Sequence, residues 1–131
     1  MNSALRAYQK TQITTTSPGN LVVMLYDGAI NFLEQSKGKI AEKDYAAKGM
    51  LISKALDIIS ELDCSLNVER GGDLARNLHG LYVYCSHRLL KANMDMDVAI
   101  IDEVITILSE LRSAFHQITT MEKPAMSVQA G

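Results

Sequence analysis

The chain has 131 residues, of which 47% are hydrophobic and 21% charged, with a formal net charge of −2. That length holds one domain with a real core, and a mildly acidic chain has no electrostatic reason to seek nucleic acid or anionic lipid. No apolar run approaches ~18 residues, so no membrane insertion is expected; Met1 to Ile13 lacks the continuous apolar stretch of a signal peptide, and two cysteines, Cys64 and Cys85, outside any CxxC spacing read as reduced, mostly buried thiols of a cytoplasmic protein.

Residues 1–16 are polar and threonine-rich (Thr11, Thr14, Thr15, Thr16) but hold Leu5 and Tyr8 at i, i+3, and then Ile13. A piece this short is only marginally helical by itself in water. Its spacing suits a mobile N-terminal cap segment, one that lies over apolar surface and limits the exposed patch in the free protein.

The first helix is predicted over 17–37. Ser17 can cap it, and Pro18 sits where its missing N–H costs nothing. Asp27, Asn31 and Glu34 form its polar strip at i, i+4 and i+7. Gly38 is the expected stop. The second helix is predicted over 44–66, with Asp44 as cap and Leu51, Ala55, Ile58, Ile59, Leu62 and Leu66 on the apolar face, widened by Ile52 and Leu56. Gly71-Gly72 then breaks the chain in a tight turn that uses positive φ, and Asp73 opens a third helix over 73–93. Its inward face reads Leu74, Leu78, Leu81, Tyr82, Cys85, Leu89 and Ala92. Asp97 caps a fourth helix over 97–118, with Ile101, Val104, Ile105, Leu108, Leu111, Phe115 and Ile118 inward. Residues 121–131 are small and polar and are expected to be a disordered tail. No stretch alternates long enough to argue for a strand. The fold class is therefore all-α. Four helices of roughly 20 residues with short connections form an antiparallel up-down four-helix bundle.

Catalytic chemistry is not legible. His79, Cys85 and His87 point in different directions around the third helix, so no metal site is expected. No GxSxG and no phosphate-binding glycine loop occurs, so no cofactor and no catalytic residue is assigned. One alternative uses the same architecture. Histidine phosphotransfer domains are four-helix bundles with an exposed mid-helix histidine, and His79-Gly80 could supply one. The lysine expected to steady a phosphoryl charge is missing between His79 and His87.

Surplus apolar surface is the stronger signal. A bundle helix needs about three inward residues in seven. The first helix has Leu21, Met24, Leu25, Ala29 and Phe32, and then a second ridge of Val22, Tyr26, Ile30 and Leu33 at i, i+4, i+8 and i+11. That ridge is either extra core or the lining of an external groove that takes a partner helix. Val83 and Leu90, seven residues apart on the third helix, add outward apolar area, and seven methionines suit an adaptable surface.

The run Met24-Leu25-Tyr26-Asp27-Gly28-Ala29-Ile30, preceded by Thr16-Ser17-Pro18, resembles the first helix of the FliS-type flagellin export chaperones. The resemblance continues through Glu69-Arg70-Gly71-Gly72-Asp73-Leu74-Ala75-Arg76-Asn77-Leu78, Leu81-Tyr82-Val83-Tyr84 and Arg88-Leu89-Leu90-Lys91-Ala92-Asn93, in order, over roughly residues 5–118. It implies a cytosolic, non-enzymatic chaperone. Such a protein binds the C-terminal helical segment of flagellin in apolar grooves, prevents premature polymerisation, and delivers the subunit to the flagellar type III export gate. It also implies that Leu5, Tyr8 and Ile13 are contact positions in a displaceable cap, which in some members serve the flagellar anti-sigma factor as well. Tyr26 and Asp27 match the first-helix motif, and Gly71 and Gly72 the turn. Val83 departs from the family pattern, where an acidic residue is usual; Cys85 replaces a larger apolar residue and Arg70 an expected lysine.

Overall fold

A computed structural model of the chain describes residues 18–130, with side chains from 19 to 121. The expected cap segment, including Leu5, Tyr8, Ile13 and the Ser17 cap, lies outside the described residues. Four helices follow one another: α1 (Pro18–Ala41), α2 (Tyr45–Cys64), α3 (Val68–Asp95) and α4 (Val98–Ala130).

The ends of these helices follow from local chemistry. Gly38 does not stop α1. The helix runs on to Ala41 and closes with two crossed bonds, Lys43 N–H to the Ile40 carbonyl (3.0 Å) and Asp44 N–H to the Lys39 carbonyl (2.9 Å). This is a Schellman closure, with Lys43 in the left-handed position at φ 61°. Asp44 then caps α2, its carboxylate accepting from the Ala47 N–H at 3.2 Å. Asn67 caps α3 in the same way through the Arg70 N–H at 3.1 Å. One turn of helix, Val68–Gly71, therefore precedes the predicted break. The break itself is at Gly72, with φ 54° and ψ −129°, a conformation essentially confined to glycine. Met96 (φ 53°) ends α3, and the Asp97 carboxylate accepts from the Ala99 and Ile100 N–H groups at 3.0 and 3.3 Å to start α4. No glycine interrupts the sequence from Val98 to Ala130, and α4 continues past the predicted end at 118 into the segment expected to be disordered.

Each helix packs on its two neighbours in a ring, α1 on α2 and α4, and α3 on α2 and α4. Cross-links show that neighbours are antiparallel. Lys37 meets Asp102 at 2.6 Å and Asp27 meets Arg112 at 2.9 Å between α1 and α4. Between α2 and α3, His79 meets Asp63 at 2.7 Å, and Lys48 donates to the Asn93 carbonyl at 2.9 Å. Bundle architecture and helix order are those read from the sequence.

The core runs through Ala29 and Leu33 of α1, Ile52, Ile59 and Leu62 of α2, Tyr82, Cys85 and Leu89 of α3, and Ile101, Val104 and Leu108 of α4. Gly28 lets α1 approach α2: a Cβ there would stand 3.2 Å from the Ile58 side chain. Two face assignments need correction. Leu74 is 67% exposed, and the inward row of α3 starts at Ala75, one residue and about 100° further on. Ile118 is 50% exposed. Cys64 is exposed, whereas burial pushes the Cys85 thiol up to about 11.

Candidate functional site

Of the two readings of the α1 ridge, extra core and groove lining, two of its four residues are core. Tyr26 and Leu33 are completely buried, and Val22 and Ile30 are partly buried against the core. The reason is geometric. α1 is flanked closely by both neighbours, so its buried sector is wider than a three-in-seven stripe. Tyr26 reaches across the diagonal of the ring, and its hydroxyl hydrogen-bonds the Tyr82 hydroxyl of α3. Its ring also sits 5.7 Å from that of Phe115. Burial raises the ionisation range of both tyrosines. Tyr26 and Leu33 belong to the core, whereas Val22 and Ile30 keep part of their surface.

Exposed apolar side chains concentrate on α3. Val83 (38%), Leu90 (51%) and Met94 (79%) recur at i, i+7 and i+11, so they share one helical face. At the edge of that face, α2 and α3 leave a shallow cleft of about 190 Å³ lined by Ile59, Ser60, Asp63, Tyr82, Val83, Ser86 and His87. It brings the apolar Ile59, Tyr82 and Val83 together with the polar Ser60, Asp63, Ser86 and His87. Sequence reasoning saw Val83 and Leu90 but not Met94, although the spacing of four from Leu90 was available.

The opposite flank of α3 is polar and fixed. The Tyr84 hydroxyl donates to one Glu103 oxygen at 2.5 Å, and Arg88 Nε donates to the other at 2.8 Å. These two bonds, the tyrosine first, hold the Glu103 carboxyl below its ordinary range. A second cleft of about 530 Å³ runs along α4, past Ile105, Ser109, Ser113, Ala114 and Gln117.

His79 is exposed, and its Nδ1 lies 2.7 and 3.0 Å from the two oxygens of Asp63. No described helix is long and apolar enough to cross a membrane.

Comparison with known proteins now decides the family. The family described as flagellar protein FliS matches residues 1–122. The chain belongs to the FliS family. Among its relatives, the flagellar secretion chaperone FliS of Vibrio cholerae is 39% identical over 122 residues, covering 90% of each chain. That of Salmonella typhimurium is 38% identical over 122 residues, covering 89% of this chain and 90% of its own. The Bacillus subtilis protein of the same name is 32% identical over 117 residues, covering 89% and 86%. The relatives are named as flagellar secretion chaperones, which favours a chaperone over the phosphotransfer alternative.

Proposed function

We propose that this protein is a cytoplasmic chaperone that holds the C-terminal helical segment of flagellin, keeps it from polymerising early, and delivers it to the flagellar type III export apparatus. The observation that carries this reading is the apolar face of α3, Val83, Leu90 and Met94, beside the cleft with α2. An amphipathic helix lays its own apolar face on such a surface. Leu5, Tyr8 and Ile13 belong to the reading as a cap that yields to the client, with the anti-sigma factor as a further ligand of that segment.

The energetics fit a chaperone that must let go. Burying on the order of 1,000 Å² of apolar surface yields tens of kcal/mol gross at about 25 cal/mol per Å². Ordering a disordered client and losing its translational freedom cancel most of that. Release at the export gate then needs no hydrolysis by the chaperone, only a competing surface.

Titration calorimetry with a peptide from the C-terminal region of the host's flagellin tests this. A stoichiometric complex is expected, and Val83→Asp with Leu90→Asp should weaken it at least tenfold while leaving the melting temperature near that of the parent. Binding by the double variant at parental affinity would remove the α3 face from the mechanism, and no complex with the parent would remove the client.

A further inference from the structure

We propose that Met50 and Met94 form one oxidation site, and that converting their thioethers to sulfoxides weakens the hold on flagellin without unfolding the bundle; this rests on the client assignment made above. α2 and α3 abut at Gly49 and Asn93, where a Cβ on the glycine would stand 3.9 Å from the Asn93 carboxamide oxygen. The residues one step earlier, Lys48 and Ala92, turn inward and are buried. Those one step later are Met50 and Met94. Each is rotated about 100° beyond the contact, and because the two helices are antiparallel, both rotations lead to the same outer side of the seam. Met50 is 62% exposed there, and Met94 more so. Met94 belongs to the apolar row of Val83 and Leu90, so Met50 extends that surface onto α2.

A leucine at either place would be as apolar but inert. A thioether reacts with a hydroperoxide: a sulfur lone pair takes one peroxide oxygen, the O–O bond breaks, and the departing hydroxide takes up the proton of the transferred hydroxyl, leaving sulfoxide and water. Sulfur is oxidised by two electrons and the peroxide reduced by two. The product is polar, so covering it with an apolar helix strips it of water without return. Reduction by a dithiol reverses the step, the oxygen leaving as water while the two thiols close to a disulfide. Access selects the sites. Met24 is partly covered within α1, whereas Met50 and Met94 are open. Met121 is as open as they are, but it stands on α4 roughly 35 Å along the helix from its start at Val98, the end of the bundle that carries the pair. It undergoes the same reaction away from the proposed face and so serves as an internal control.

The full-length chain is treated with hydrogen peroxide, desalted, returned to thiol at the exposed Cys64 with dithiothreitol, and titrated with the flagellin C-terminal peptide. Peptide mapping should place the first added oxygens on Met50, Met94 and Met121, ahead of Met24. Affinity should fall about tenfold, the loss expected when the apolar contribution of one buried methionine is forfeited, while the melting temperature stays within about 3 °C of the untreated value. Met50→Leu with Met94→Leu should bind like the parent and keep that affinity after the same treatment, although Met121 is still oxidised. Three results overturn the proposal and leave the client assignment standing: oxidised parent binding within twofold of untreated parent, Met50 and Met94 unreacted while Met121 is oxidised, or an equal loss in the double leucine variant. If the untreated parent fails to bind, both fall. Should oxidation lower the melting temperature further, Met50→Gln with Met94→Gln carries the test, because it introduces polarity at these two positions alone: a several-fold loss of affinity supports the proposal, and parental affinity overturns it.

Discussion

On α3, a step of one residue separates side chains that hold the bundle from side chains that face outward: Tyr82 is 2% exposed and its neighbour Val83 38%. Tyr82 matters because its hydroxyl is the partner of a second buried hydroxyl, that of Tyr26. Tyr82→Phe keeps the ring but leaves Tyr26 unsatisfied in the core, which costs about 1–2 kcal/mol. Urea denaturation should show that loss, and adding Tyr26→Phe should recover most of it, since two apolar partners leave nothing unpaired. Glu103 gives a different signature. Its folded carboxyl titrates below the ordinary range because Tyr84 and Arg88 bond it. Its contribution to stability is therefore present above its unfolded pKa and lost as the pH falls through its folded one. Glu103→Gln should flatten the acid limb of the stability–pH curve; an unchanged limb would show that the cluster is not coupled to folding. Neither residue was legible in advance as half of a pair. Periodicity assigns a side chain to a face, but which hydroxyl meets which depends on the ring order of the helices.

At the scale of helices, the capping residues were the readable part. Asp44 and Asp97 cap α2 and α4 as their types and positions imply, and Gly72 turns the chain with positive φ where Gly71-Gly72 announced a break. The endings were less readable, because two of them use residues that disfavour the left-handed conformation. Lys43 and Met96 occupy it at φ 61° and 53°. Gly38, a better stop by type, is passed over, since the closure that satisfies the last carbonyls of α1 forms around Lys43 instead. Met96→Gly should raise stability by roughly 0.5–1 kcal/mol, by relieving the clash of a Cβ with its own carbonyl. An unchanged or lower denaturation midpoint would mean that the Met96 side chain contributes packing that outweighs the strain. Half of the α1 ridge is core for a reason that belongs to this scale. A helix read alone shows how much apolar surface it has, not how many neighbours will cover it, and α1 has two close ones.

For the molecule as a whole, the up-down architecture followed from four amphipathic stretches and short connections, and the family from motifs that the bundle then places on α1 and on α3, including the break at Gly72 inside α3. The proposed binding face was half legible. Val83 and Leu90 stood out by spacing, while half of the larger signal on α1 turned out to be interior. A diagonal pair of tyrosines also gives this protein an optical readout of its own integrity. The chain has no tryptophan and five tyrosines, so its absorbance near 280 nm comes from phenol groups. Tyr26 and Tyr82 resist ionisation while enclosed, chiefly because burial disfavours the phenolate. A group whose folded pKa is raised stabilises the native state below its unfolded pKa and withdraws that support as the pH climbs. Alkaline titration followed at the phenolate band should therefore show a gradual rise from accessible rings and then a steep step, coincident with loss of helical ellipticity, as two protons leave together with the fold. In Tyr82→Phe the step should come earlier and be smaller, so base alone can rank the tightness of the interior across any set of variants.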